Sequence, residues 1–211
     1  MNKGALINFR KFKVNKFFKI NKIVFLMCLL FVIGLIIGLI LLSKNKAILA
    51  FSKKVFSDYF ILRSKKSFFK IFFSSFLSSL VFLLFIFVSG ASVLGIITVP
   101  FFVTAKGFLF GILCGYAFNA FSLKGVAFNA MILIPGSIVG LISYLFAAKH
   151  SVLFSCDFIK LIFPKSRPIN LFCGFRDYTY KYFTVVCFTL ISALSDAAVS
   201  HFFIKFFNFS I

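Results

Sequence analysis

The chain has 211 residues, of which 62% are apolar and only four are acidic, and its 24 Lys and Arg give a formal net charge of +20. A soluble globular domain is about 45–50% apolar, so this composition, with its long uncharged runs, excludes an ordinary soluble domain and predicts a membrane protein. The basic residues lie between the apolar runs, which favours contact with anionic lipid headgroups over binding of nucleic acid.

The first predicted element is a basic segment followed by a membrane span. Residues 1–22 contain seven Lys and Arg and no acidic residue, and residues 23–42 then run without a charge. Twenty residues of helix measure about 30 Å, which is the thickness of the hydrocarbon core. The run is longer than the core of a signal peptide, so we expect a retained anchor.

Further spans follow in chain order. A connector over 43–70 holds eight basic residues and Asp58. In the third apolar run, interrupted by Pro100 and Lys106, we favour one kinked helix, with a re-entrant helix over 92–105 and a span over 107–121 as the alternative. A second long loop is expected over 149–181. The predicted spans are 23–42, 71–88, 93–121, 125–148 and 183–204.

These elements predict an all-α integral membrane protein with a bundle of about five transmembrane helices, or six if 91–121 is split. Residues 1–22 would be a basic cytoplasmic segment and 23–211 a single transmembrane domain. With the N-terminus inside the cell, thirteen basic residues face the cytoplasm and ten face outward. This bias agrees with the positive-inside rule and favours a multi-pass protein of the cell membrane with a cytoplasmic N-terminus.

Glycines at four-residue spacing form the clearest local pattern. On one helix face such glycines allow a neighbouring backbone to approach closely. They would serve either packing inside one bundle or contact with another membrane protein, and the sequence leaves both open. The glycines are Gly34 and Gly38, Gly107, Gly111 and Gly115, and Gly136 and Gly140.

Four polar residues are expected within the membrane. Lys106 and Asp196 are ionisable, and each would cost about 2.5–3.5 kcal/mol if it faced lipid. They are expected to face the interior, a polar cavity or each other as an ion pair, although Lys106 could instead extend to the interface. Asn119 and Asn129 are expected to add hydrogen bonds between helices.

The sequence offers no recognisable catalytic or metal site. Glutamate is absent, and the two histidines, His150 and His201, are isolated. Cys156 and Cys173 lie in the predicted loop near His150, but sixteen residues separate them and zinc sites use closer pairs. We therefore expect no enzymatic activity, no metal and no cofactor.

A run of residues in the middle of the chain resembles the stage II sporulation protein M family. The resemblance lies in the stretch Ser89-Gly90-Ala91-Ser92-Val93-Leu94-Gly95-Ile96, in Lys106-Gly107 with the glycines that follow, and in Leu133-Ile134-Pro135. Length, the basic N-terminus and the span near the C-terminus fit as well. One departure is that Gly136-Ser137-Ile138-Val139-Gly140 follows Pro135, where many members carry polar residues.

The resemblance implies a membrane scaffold without chemistry of its own. Such a protein helps to localise two peptidoglycan-remodelling partners, the stage II sporulation proteins D and P, during forespore engulfment. The lipid bilayer is the other expected partner, and homo-oligomerisation stays open. The alternative function is a permease-type transport component that uses Lys106 and Asp196, because buried charges and proline-broken helices often line substrate paths.

Overall fold

The computed structural model describes residues 3–65, 67–162 and 171–207, and these residues form helices joined by short turns. A π-helical turn, Asn129–Leu133, leads into α5, and a short 3-10 turn, Ile204–Phe206, follows α6. No strand occurs among the described residues, which confirms the all-α fold class. The six helices are α1 (Lys3–Lys44), α2 (Lys46–Lys65), α3 (Phe68–Gly90), α4 (Gly95–Phe128), α5 (Ile134–Ile162) and α6 (Leu171–Phe203).

Within the described part of the chain, four helical stretches are long and apolar enough to cross a membrane. They are Lys22–Lys44, Phe68–Gly90, Gly95–Lys160 and Cys173–Phe206. The third has 66 residues, and a straight helix of that length would measure about 100 Å, more than three times the hydrocarbon thickness. The chain therefore has to turn within it.

The turn lies at Ser122, whose φ of 49° and ψ of −122° are not helical. Asn129 Nδ2 donates a hydrogen bond to the Cys114 carbonyl at 2.9 Å. In a straight helix these two residues would be about 22 Å apart, so the chain reverses and forms a helical hairpin. Its first arm, 95–121, is one helix that continues through Pro100 and Lys106, as the sequence favoured over a split.

The five long helical arms alternate in direction. Gly34 and Gly38 of α1 lie against Thr104 and Phe108 of α4 in ascending order, so these two arms run parallel. Between α3 and α6 the order is reversed, since Tyr182 bonds to the Leu83 carbonyl while Asp196 bonds to Ser75. Because five arms alternate in direction, Lys22 at the start of the first arm and Ile204 after the last arm lie at opposite ends of the bundle. We call the end with α2, Ser122 and Ile204 the α2 end.

Two predicted loops are largely helical. The connector over 43–70 contains α2, and the predicted loop over 149–181 consists mostly of α5, which reaches Ile162, and α6, which begins at Leu171. The prediction was wrong because it followed apolar length alone. Beyond the uncharged runs, α5 and α6 still bury Val152, Phe154 and Tyr178 against each other and against α3. The stretch 163–170 lies outside the described residues.

The distribution of side chains is that of a bundle in lipid. Large apolar side chains cover the outside, and Ile97, Phe101 and Phe73 are each more than 60% exposed. Polar side chains such as Ser143 and Thr189 are buried. This pattern agrees with a multi-pass membrane protein, in which lipid solvates the apolar faces and polar groups turn inward.

Candidate functional site at a polar cavity

The glycine faces of α1 and α4 pack against each other. A Cβ added at Gly38 would lie 2.5 Å from the Phe108 carbonyl oxygen, and one at Gly107 would overlap the Phe31 carbonyl. Gly34 and Gly111 make equally close approaches, and Gly115 lies against Leu39. These glycines therefore join two helices of the same bundle, and the face that they form is covered by a neighbouring helix.

Gly136 and Gly140 of α5 face α6 instead. A Cβ at Gly136 would lie 2.6 Å from Asp196 Oδ1, and one at Gly140 would lie 3.0 Å from Ser192 Oγ. Ser192 Oγ also donates a hydrogen bond of 3.2 Å to the Gly136 carbonyl. The missing side chain at Gly136 thus makes room for the Asp196 carboxylate inside the bundle.

A cavity of about 420 Å³ lies where α2 meets the bundle, and it contains both ionisable residues that the sequence placed in the membrane. Lys106 and Asp196 line it, together with Asp58 and Arg63 of α2 and a group of serines on α3. Of the surroundings that the sequence left open for Lys106 and Asp196, the structure places both at this cavity, and α2 covers it at one end.

Asp196 is paired with Arg63, and not with Lys106 as the sequence suggested. Arg63 Nη2 lies 2.5 Å from Asp196 Oδ2, and Ser75 Oγ donates a hydrogen bond of 2.6 Å to the same oxygen. Arg63 Nε donates to Ser200 Oγ at 3.0 Å, and the guanidinium lies 3.4 Å from the centre of the Tyr59 ring. Both charges are largely buried, and each is paired with the other and hydrogen-bonded to a serine hydroxyl.

Lys106 faces aromatic rings. Its Nζ lies 4.3 Å from the ring centre of Phe82 and 5.1 Å from that of Tyr144. Among the described residues it forms no ion pair. A cation–π contact contributes about 0.5–2 kcal/mol, which offsets part of the cost of a lysine at this depth.

The two asparagines differ in their surroundings. Asn129, in the π-helical turn, bonds through Nδ2 to the Cys114 carbonyl and so fastens the hairpin, while its Oδ1 is buried without a partner among the described residues. Asn119 is exposed near the Ser122 turn. The expected hydrogen bond between helical arms is thus present at Asn129.

The cysteines and histidines form no cluster. Cys156 and Cys173 carry free thiols. Within 3–65, 67–162 and 171–207, no group of three or more His, Cys, Asp or Glu side chains is placed to hold a metal ion.

Arg63 and the serines of α3 were missed as site residues. Arg63 was counted as part of a connector, yet Phe56, Phe60 and Arg63 follow each other at the spacing of one helix face. That spacing was the signal for a helix with a buried side. The serines Ser74, Ser75, Ser78 and Ser79 lie in the predicted span 71–88, where a serine hydroxyl can bond to a carbonyl of its own helix and so does not by itself indicate a site.

The chain matches one family model, that of stage II sporulation protein M (SpoIIM), over residues 27–201. The chain belongs to this family. The match runs from α1 to α6 and includes every residue that lines the cavity, so the cavity is part of the SpoIIM region. A search of curated proteins and of solved structures finds no match. With its apolar helices, the chain is a membrane protein of a sporulation-related family.

Proposed function

We propose that this SpoIIM-family protein is a non-enzymatic membrane scaffold that positions peptidoglycan-remodelling proteins during forespore engulfment. The partners that the family resemblance implies are the stage II sporulation proteins D and P. The observation that carries the proposal is α2, a helix that lies at one end of the bundle and presents a basic surface.

The inner side of α2 is fixed to the bundle. Phe56 is fully buried, and its ring centre lies 5.2 Å from that of Tyr116 and 5.5 Å from that of Phe128. Seven residues further on, Arg63 is held by Asp196 and Ser200. A helix fastened at two points along its length offers a partner a preformed surface, which lowers the entropy lost on binding.

The outer side of α2 is exposed and carries basic side chains beside the apolar Leu49, Phe51 and Ile61. Lys46, Lys53 and Lys54 are exposed, and Asp58 adds a carboxylate to the same helix. The glycine face of α4, which the sequence left open as a partner surface, is covered by α1 and is no longer part of the proposal.

The proposed orientation places α2 outside the cell. The basic segment before α1 and the opposite end of the bundle would face the cytoplasm, in agreement with the charge bias of the sequence. Peptidoglycan-remodelling partners act outside the membrane, so α2 would lie on the side where their extracellular domains are found.

Recovery of partners from membranes tests the proposal. Tagged protein is purified from cells that produce proteins D and P, and the variant Lys53→Glu/Lys54→Glu is compared with Lys124→Glu/Lys205→Glu. Both variants reverse two exposed charges at the α2 end, so their effects on membrane insertion are matched.

We expect partner recovery to fall about tenfold for the α2 variant, equivalent to 1.4 kcal/mol of binding free energy, and to stay near the wild-type level for the control. Unchanged recovery with the α2 variant, or equal losses in both variants, would rule out α2 as the partner surface.

The cavity favours a second candidate function, a transport component. It combines Lys106, the Arg63–Asp196 pair and several hydroxyls inside a membrane bundle, as substrate paths often do. Because Asp196 fastens α2, Asp196→Asn would alter folding as well as flux. Lys106→Gln is the cleaner variant for a flux assay in reconstituted vesicles, and loss of flux with normal partner recovery would favour transport.

A further inference from the structure

Lys106 places a positive charge deep in the bundle. It lies eleven residues after the start of α4 and fifteen before Phe121, close to the middle of its pass. Asp196, the carboxylate expected to neutralise it, is engaged by Arg63 and Ser75. Asp58 lines the same cavity from α2 and makes no ion pair with Lys106. Among the described residues, the Lys106 charge is therefore balanced only by aromatic rings.

Hydroxyl groups line the same cavity. Most hydroxyls in the bundle bond to carbonyls of their own helix, as Ser143 Oγ does to Val139 and Thr104 Oγ1 does to Pro100. The hydroxyls of Ser74 and Ser78 make no hydrogen bond within the part of the chain that the structure describes, although both line the cavity. They are available as donors to a molecule inside it.

The rest of the lining is apolar. Phe31 of α1 and Leu109, Phe110 and Leu113 of α4 line the cavity as well. At about 420 Å³, its volume falls within the range of small-molecule sites, about 300–1,000 Å³. The cavity thus combines the Lys106 cation, the Arg63–Asp196 ion pair, the Asp58 carboxylate, several hydroxyl donors and an apolar surface.

We propose that this cavity binds a phosphate-bearing anion, with Lys106 as its charge partner and the serine hydroxyls of α3 as hydrogen-bond donors. Phosphate oxygens accept several hydrogen bonds, and lysine binds phosphate as a point charge. The anion is either free phosphate or the headgroup of an anionic phospholipid whose chains follow the apolar lining. This inference goes beyond the scaffold function and does not depend on it.

Ligand-dependent thermal stability of the full chain in detergent tests the site. The purified protein is titrated separately with inorganic phosphate and with short-chain phosphatidylglycerol. A ligand that binds the folded state raises the unfolding temperature with its concentration. Lys106→Gln removes the charge, Ser74→Ala/Ser78→Ala removes two donors, and Lys124→Gln is the control for an exposed lysine at the α2 end.

We expect the wild type and Lys124→Gln to be stabilised alike. Lys106→Gln should bind about tenfold more weakly or worse, and the serine variant about threefold more weakly, as expected for a lost charge contact and lost neutral hydrogen bonds. Lys106→Arg, which keeps the charge, should retain most of the binding. If both ligands stabilise the protein, the phosphate group alone is sufficient for binding in the cavity. If only phosphatidylglycerol does, the bound molecule is an anionic phospholipid.

The proposal is overturned if neither ligand stabilises the wild type, or if Lys106→Gln responds as the wild type does. If Lys106→Gln fails to fold, as judged by gel filtration and circular dichroism, the ligand affinity of the serine variant tests the proposal instead. That variant keeps every charge, and wild-type affinity in it would exclude the α3 hydroxyls and with them the proposed site.

Discussion

Arg63 of α2 and Asp196 of α6 form a buried ion pair between residues that are 133 positions apart in the sequence. Ser75 of α3 donates to the same carboxylate, so three helices meet at one group. The ion pair holds α2, which lies in the basic connector over 43–70, against the rest of the bundle. It also removes Asp196 from the reach of Lys106, which leaves the lysine facing the cavity.

Loss of Asp196 should destabilise the bundle strongly. Asp196→Ala leaves Arg63 buried without its counter-charge, and removal of one partner of a buried pair costs about 3–5 kcal/mol of unfolding free energy. Unfolding in mixed micelles measures this value.

The double variant Arg63→Met/Asp196→Leu is the control for that experiment. Because it removes both charges, it should recover at least half of the loss. A double variant as unstable as Asp196→Ala would show that the effect does not come from an unpaired charge.

Replacement of Phe56 should release α2. Phe56→Ala removes a fully buried ring, and such truncations cost about 3–5 kcal/mol. Limited trypsin digestion should then cut faster after Lys53 and Lys54. Phe51→Ala, at a position that is 52% exposed on the same helix, should leave the cleavage rate near that of the wild type.

The contact between α1 and α4 should not tolerate a methyl group. In Gly107→Ala the new Cβ would overlap the Phe31 carbonyl, a backbone atom that cannot move alone. Overpacking of this kind costs about 1–3 kcal/mol, measured as a lower free energy of unfolding. At Gly174 the nearest atom lies 3.8 Å away, so Gly174→Ala should be neutral or slightly stabilising.

Relief of the strained turn should stabilise the protein. Ser122 has a positive φ that only glycine adopts without strain. We expect Ser122→Gly to raise the free energy of unfolding by about 1 kcal/mol. Ser57→Gly, in the middle of the regular helix α2, should lower it instead by about 0.5–1 kcal/mol. A loss of stability at Ser122→Gly would contradict the hairpin geometry.

Much of the fold could be predicted because lipid imposes it. Long uncharged runs have to be helices in a membrane, and each predicted span corresponds to part of a helical arm. The glycines at Gly34 and Gly107 were expected to allow close packing, and they do. The SpoIIM resemblance, drawn from residues 89–140, was confirmed over 27–201.

The missed features depend on contacts that a local pattern does not contain. The polar helix α2 has too many charges to be recognised by apolar length, and only its contacts with Tyr116 and Phe128 show why Phe56 is buried. The partner of Asp196 could not be chosen between Lys106 and Arg63 without knowing that α2 covers the cavity. The turn at Ser122 falls in the gap between the predicted spans 93–121 and 125–148, so its place could be predicted, but a serine does not indicate the positive φ found there.

We propose that α2 lies outside the cell on a bundle that crosses the membrane five times. Single cysteines at Ala50, Lys160 and Lys205 of an otherwise cysteine-free variant can be labelled in intact cells with a membrane-impermeant thiol reagent. We expect labelling at 50 and 205 and protection at 160. Protection at 50 with labelling at 160 would place α2 in the cytoplasm and contradict its role as a surface for extracellular partners.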